Sequence, residues 1–228
     1  MEIKRYGEKE FLSADKLYIR ENEIHIWCIR WPEMTDFWKN HEYILSGQEL
    51  EQAGRFRFPE DRMRYIAGKV VVRILLKRYL DMETIDFSVN ELGKPYHKEI
   101  AGKQTVNFNI SHSGEFILEG MDIGVDVQEM AGCPDYREIA GNFYTAEEAE
   151  DVINEGPELF FQYWAAKEAY VKAIGIGLGR GMDFFSVRNG EITEKGRKGQ
   201  GWHLYPVKIE GYAAYVAAHK KGDKSNEL

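Results

Sequence analysis

Hydrophobic residues recur along this chain with two periods, and these periods predict most of its secondary structure. Over 62–79 the apolar residues return at three- and four-residue steps, which predicts a long helix. A second long helix is predicted over 159–173, and the glycine-rich stretch 175–179 ends it because glycine is costly inside a helix. Apolar runs and alternations predict strands at 23–30, 86–90, 105–111, 115–119, 122–128, 184–188, 203–209 and 212–218.

Local polar signals predict where two further helices begin. Ser46 and Glu49 form a capping-box pattern, so a helix should run from there to about Ala53. Thr145 is a candidate N-cap for another helix. Because the predicted helices and strands do not alternate strictly, we expect an α+β fold rather than a doubly wound sheet.

A faint internal repeat divides the chain into two parts. Residues 65–69 (YIAGK) resemble 163–167 (YWAAK), and 87–89 (FSV) match 185–187 (FSV), both at an offset of 98 residues. A shared offset in the order helix then strand predicts two related α/β halves, although short matches also arise by chance. We expect an N-terminal subdomain over 1–120, a C-terminal subdomain over 121–219 and a flexible polar tail over 220–228.

Composition narrows the class of protein. With 43% hydrophobic and 13% aromatic residues the chain is globular rather than disordered. Its 30 basic and 38 acidic residues give a net charge of −8, which argues against nucleic acid as a partner, although basic residues cluster between Arg55 and Arg78. Cys28 and Cys133 form no metal or disulfide pattern. Since there is no apolar run of about 18 residues and no signal peptide, we expect a cytoplasmic protein that does not act at a membrane.

Two segments could place oxygen ligands around one cation. On the strand 122–128, Asp126 and Gln128 share a face and could bind a hard cation, although a strand with a solvated polar face has the same pattern. On the helix 159–173, Trp164, Glu168 and Lys172 line one face. Glu168 could hold a metal or accept a proton while Lys172 faces a phosphate, or the two could form only an ordinary helix ion pair.

Two turns carry cationic side chains. His112 follows a predicted strand and could donate to a phosphate oxygen, or could simply be exposed. Lys94 lies between Gly93 and Pro95 in a turn that is too short for a phosphate-binding P-loop.

The order of these motifs resembles the Sfp-type 4′-phosphopantetheinyl transferases. The resemblance runs from about Arg55 to Arg188, and the segment 164–172 (WAAKEAYVK) is its most specific part. It implies two similar α/β subdomains in a pseudo-twofold arrangement, in a monomeric enzyme. It also implies Mg²⁺-dependent transfer of the phosphopantetheine arm of coenzyme A to a serine of an apo acyl or peptidyl carrier protein, releasing adenosine 3′,5′-bisphosphate.

The resemblance also implies roles for individual residues. Asp126 and Glu168 match metal ligands, and Glu168 matches the proposed general base. Lys172 matches a lysine that stabilises pyrophosphate charge, and His112 matches a histidine that contacts phosphates. The expected coenzyme A contacts are Lys94, Pro95, Ser111, His112, Lys172 and, near the 3′-phosphate, Arg64. The stretch 175–206 matches a region implicated in docking the carrier.

One departure from the family pattern keeps other functions open. Gln128 stands where many relatives have an acidic residue, so that side chain would bind a metal without contributing charge. The alternatives are a carrier-binding module that has lost catalysis and a metal-dependent phosphohydrolase acting on nucleotides.

Overall fold

Two β-sheets, each with a long helix on its outer face, form the framework of the chain. A computed structural model describes residues 2–20, 23–83, 85, 87–89, 95–97, 108–121, 123–177, 181–194, 197–198 and 201–219. The elements up to residue 121 are β1 Glu2–Tyr6, α1 Glu8–Ser13, β2 Glu23–Arg30, α2 Thr35–Asn40, α3 Gly47–Gly54, α4 Pro59–Leu80, β3 Phe87–Val89, β4 Pro95–His97, β5 Phe108–Ser113 and β6 Phe116–Met121. The later elements are β7 Gly124–Glu129, α5 Tyr136–Phe143, α6 Ala146–Glu155, α7 Pro157–Ile174, β8 Phe185–Ser186, β9 Thr193–Glu194, β10 Arg197–Lys198, β11 Trp202–Pro206 and β12 Tyr212–His219.

The first sheet has the strand order β1-β2-β6-β5, and the second has the order β11-β12-β7. Only β1 runs parallel to its neighbour among these pairs. There are two smaller sheets: β3 pairs with β4, and β9 pairs with β8 on one side and β10 on the other. This mixture of antiparallel sheets and helices is an α+β fold, as the sequence predicts.

The core has one layer outside each sheet and one shared layer between them. Trp27 and Ile29 of β2 pack with α4, whereas Ile26 and Cys28 on the opposite face pack with residues of β7 and β12. Side chains of one strand alternate between faces, so β2 contributes to both layers. In each half of the chain, one face of the sheet is therefore buried against that half's own helix, and the opposite face is buried against the sheet of the other half.

The elements of the first part recur in the second. Pro59 and Pro157, 98 residues apart, begin the two long helices α4 and α7. The strands β3 and β8 begin at Phe87 and Phe185, which have the same separation, and each pairs antiparallel with the next strand. Two related halves, as the repeat predicts, account for this order.

Both predicted helix caps are present. The Ser46 hydroxyl accepts from Glu49 N at the start of α3, and the Thr145 hydroxyl accepts from Glu148 N at the start of α6. In each case the glutamate carboxylate accepts a hydrogen bond from the cap residue's own N–H, which completes a capping box.

Some elements differ from the sequence-based prediction. The hydrophobic pattern does not predict β1, α1, α2, β4, α5 or the β9–β10 hairpin, and β4 begins at Pro95, where a turn is expected. The strand predicted over 184–188 is only two residues long, because the backbone enters a 3-10 helix at Arg188–Gly190. The predicted tail 220–228 lies outside the described residues.

Candidate active site

Asp126 occupies the centre of the candidate site. On β7, Val125 and Val127 face the shared core, so Asp126 between them points to the opposite face. That face is covered by α7 rather than by solvent, and Asp126 is only 3% exposed. The predicted alternation is therefore correct, but the solvated polar face is not observed.

Two side chains, Lys172 and Ser111, contact one oxygen of Asp126, and Glu168 contacts Lys172. Lys172 Nζ lies 2.5 Å from Asp126 Oδ1 and 3.4 Å from Glu168 Oε2. The Ser111 hydroxyl of β5 donates to the same Asp126 oxygen over 2.6 Å. Residues from both halves of the chain thus meet around this carboxylate.

The spacing between α7 and β7 depends on a glycine. A Cβ on Gly124 would overlap the Ala169 carbonyl oxygen and the backbone nitrogen and Cβ of Ala173. Gly124 therefore lets the helix lie directly on the strand, which brings Glu168 and Lys172 within reach of Asp126.

Burial sets the electrostatics of this group. It raises the pKa of Asp126, although the ammonium of Lys172 opposes that shift. Burial and the nearby charge of Asp126 also raise the pKa of Glu168. Burial alone would lower the pKa of Lys172, but Asp126 and Glu168 together outweigh it and the pKa is raised.

The oxygen atoms of this group fit a hard divalent cation. Asp126 Oδ2 is buried and has no hydrogen-bond partner among the described residues. Glu168 is close enough to interact electrostatically with Asp126, and Gln128 lies two residues along the same strand face. Mg²⁺ binds through few protein carboxylates. The described residues contain no cluster of three or more His, Cys, Asp or Glu side chains placed to hold a metal. The candidate charged ligands at this site are the two carboxylates of Asp126 and Glu168.

The other predicted cations lie beside this group. His112 is on β5, next to Ser111, and is exposed. The surrounding protein partly desolvates its ring, and together with the charges of Arg64 and Lys172 this lowers the pKa of His112. Arg64 of α4 donates to the Gly114 carbonyl over 3.0 Å and forms an ion pair with Asp61.

The structure thus brings most of the predicted residues together. Ser111, Asp126, Glu168 and Lys172 are linked by the contacts above, and His112 and Arg64 lie at their edge. Lys94 lies outside the described residues, and Pro95 begins β4 without a described side chain.

Two side chains beside the site are not among the residues predicted from the sequence. Asn109 and Ser113 flank Ser111 at two-residue steps on β5, and both accept hydrogen bonds from β7. The sequence pattern could have indicated them, because polar side chains alternate at 109, 111 and 113 along the strand that carries the proposed phosphate-binding histidine.

No helix within the described ranges is both long enough and apolar enough to cross a membrane.

Two family models match consecutive parts of the chain. The model described as "4′-phosphopantetheinyl transferase, N-terminal" matches residues 29–120. The model described as "4′-phosphopantetheinyl transferase superfamily" matches residues 122–218, which contain Asp126, Glu168 and Lys172.

Individual relatives carry the same name. The 4′-phosphopantetheinyl transferase HetI of Nostoc sp. is 31% identical over 175 residues, covering 72% of this chain and 73% of the relative. The 4′-phosphopantetheinyl transferase Sfp of Bacillus subtilis is 35% identical over 154 residues, covering 64% of this chain and 66% of the relative. A Synechocystis protein with the family's name is 34% identical over 155 residues, covering 63% of this chain and 62%, less than two thirds, of the relative.

Proposed function

The chain belongs to the 4′-phosphopantetheinyl transferase superfamily, and we propose that it transfers the phosphopantetheine arm of coenzyme A to a serine of an apo acyl or peptidyl carrier protein. The second product is adenosine 3′,5′-bisphosphate. The observation that carries this proposal is the cluster of the buried carboxylates Asp126 and Glu168 with the partly exposed Lys172, beside His112 where the two halves meet.

The reaction converts the phosphoanhydride of coenzyme A into a phosphodiester on the carrier serine. The carrier serine oxygen forms a bond to the phosphorus that bears the pantetheine arm, and the phosphoanhydride bond to the adenosine bisphosphate breaks. Glu168 accepts the serine proton, and its raised pKa makes it a better base near neutral pH than an exposed glutamate. Lys172 offsets the negative charge that develops on the leaving phosphate.

The same carboxylates would hold Mg²⁺. Asp126 and Glu168 would supply charged oxygens, and Gln128 would supply a neutral carbonyl oxygen. Asp126 Oδ2 is the strongest candidate ligand atom, because it is buried and has no hydrogen-bond partner among the described residues. When bound, Mg²⁺ would neutralise phosphate charge during the displacement. The residues from the first half, Ser111, His112 and Arg64, would bind and orient the phosphates of coenzyme A.

We further propose that the subdomain boundary lies at 120–121 and that the protein acts as a cytoplasmic monomer. The recurrence of helices and strands and the junction between the two family matches support the boundary. Both sides of the site come from one chain, so a second copy is not needed to complete it.

The direct test incubates the protein with Mg²⁺, coenzyme A and a panel of apo carrier proteins and follows the carrier mass. We expect a gain equal to one phosphopantetheinyl group on at least one carrier. No gain across fatty-acid, polyketide and peptide carriers would refute the proposal. Phosphate release from coenzyme A without any carrier would favour the phosphohydrolase instead.

Variants test the assigned roles. Glu168→Gln should abolish transfer while preserving the fold, and Asp126→Ala should weaken the dependence on Mg²⁺. Glu150→Gln is the matched control, because Glu150 lies exposed on α6. Transfer that survives both site changes would contradict the roles.

A further inference from the structure

The strands β5 and β7, which belong to different sheets, are joined through side chains instead of a backbone ladder. Three side-chain oxygens of β5 accept hydrogen bonds from three backbone N–H groups of β7, and we call this set the seam ladder. Its pairs are Asn109 Oδ1 with Val125 N at 3.4 Å, Ser111 Oγ with Val127 N at 3.3 Å and Ser113 Oγ with Glu129 N at 2.9 Å.

The seam ladder has a constant register. Each acceptor is followed by its donor 16 residues later, so both strands advance by two residues per rung. The residues between the rungs are those of the site: His112 lies between Ser111 and Ser113, and Asp126 lies between Val125 and Val127. The seam ladder therefore sets where His112, the proposed phosphate-binding residue, lies relative to Asp126, the proposed metal ligand.

A second contact fixes the end of the seam ladder. The Tyr212 hydroxyl of β12 accepts from Glu115 N over 3.0 Å, just after the turn that follows Ser113. In that turn a Cβ on Gly114, whose φ is +50°, would overlap the Tyr212 hydroxyl and approach the Glu129 carboxylate. The turn is thus held against the second half on both sides of Gly114, and Arg64 donates to the Gly114 carbonyl from the first half.

The register of β5 against β7 is sensitive to single side chains. A backbone ladder distributes register over many bonds, whereas here each rung depends on one side chain. Removing the Ser113 hydroxyl leaves the Glu129 N–H without that acceptor and frees the residue next to His112. Because reacting groups must be held within a fraction of an ångström, a small slip at this point should affect ligand binding before it affects folding.

We propose that Ser113 and Tyr212 are positioning residues, which fix the His112 end of β5 in the first half on the Asp126 strand β7 of the second so that both act on one coenzyme A molecule. Neither side chain is assigned to contact the substrate. This inference rests on the proposed function, since it concerns the same site.

The test uses the full chain and measures coenzyme A binding by calorimetry, kcat and KM for transfer, and the melting temperature. Ser113→Ala should weaken coenzyme A binding about fivefold to tenfold, in keeping with the loss of one hydrogen bond, and should lower kcat as well. Ser113→Thr keeps the hydroxyl and should restore both values. Tyr212→Phe should weaken binding in the same direction.

The control is Thr145→Ala, which removes another hydroxyl that accepts a backbone N–H, at the α6 cap. It should lower the melting temperature and leave coenzyme A binding unchanged. If Ser113→Ala behaves like this control, or if Ser113→Thr fails to restore binding, the positioning role is wrong. If the wild-type protein binds coenzyme A but modifies no carrier, the proposed function fails, while the binding measurements still decide whether Ser113 positions the site.

Discussion

Lys167 provides the sharpest test of the packing beneath the site. It is adjacent to Glu168 on α7, yet both Lys167 and its partner Glu148 are 0% exposed, with Nζ 2.7 Å from Glu148 Oε2. Lys167 also donates to the Met182 carbonyl over 2.8 Å and to the Phe185 carbonyl over 2.5 Å. All three ammonium donors are used, and they join α7 to α6, to the segment before β8 and to the first residue of β8. We predict that Lys167→Met severely destabilises the protein.

The magnitude follows from the charge left behind. Removing one partner of a buried ion pair costs about 3–5 kcal/mol, because the other charge stays buried. Glu148 would retain bonds from Val187 N at 2.6 Å and Ser186 Oγ at 3.1 Å, which moderates the loss. The carbonyls of Met182 and Phe185 would lose their hydrogen-bond donor, which increases the destabilisation. In a protein of this size, 3–5 kcal/mol corresponds to a fall of about 6–20 °C in melting temperature.

Thermal and urea unfolding of the wild type, Lys167→Met, Glu148→Gln and the double variant would form a double-mutant cycle. The double variant should be less destabilised than the sum of the single variants, because it leaves no buried charge.

The internal repeat offers a matched control. Lys69, 98 residues before Lys167, lies 3.8 Å from the capping-box residue Glu49, and its side chain is 36% exposed. Because such a pair contributes little, Lys69→Met should cost less than about 1 kcal/mol. A Lys167→Met variant no less stable than Lys69→Met, or additive single variants, would refute the argument.

Two further predictions concern α7 and a buried histidine. Gly124→Ala should destabilise the fold by about 1–3 kcal/mol, because its Cβ would push α7 away from β7. The control is Gly141→Ala, since a Cβ added there meets open space. Gly124→Ala should lower transfer far more than this control does. Burial lowers the pKa of His25, so the unfolded chain binds a proton more readily as the pH falls through 6.5. The free energy of unfolding should therefore decrease between pH 7 and 5.5, and His25→Gln should reduce that slope.

Equal effects of Gly124→Ala and Gly141→Ala on transfer would show that the α7–β7 spacing does not set the site. An unchanged slope in His25→Gln would show that other groups dominate the acid sensitivity. The Tyr79 hydroxyl, 2.6 Å from His25 Nδ1, must stay intact in that comparison, because it shares the buried network.

Elements with long periods or complete caps could be predicted from the sequence. The helices α4 and α7 extend far enough for their apolar period to stand out, and α3 and α6 begin at capping boxes that depend on only four residues. The short helices α1, α2 and α5 have six to eight residues, too few for a clear period. β1 is a partly exposed edge strand that pairs with β2, so its structure depends on a partner outside its own segment.

The sequence by itself also determined that Glu168 and Lys172 share a helix face and that Asp126 lies opposite Val125 and Val127, because both relations follow from the periods of a helix and a strand. Only the tertiary structure decided that α7 covers Asp126, that Ser111 donates to it and that Lys167 is buried. These facts depend on how two sheets and a helix pack across long sequence separations. Local periodicity shows which face a side chain is on, but the other half of the chain determines what that face meets.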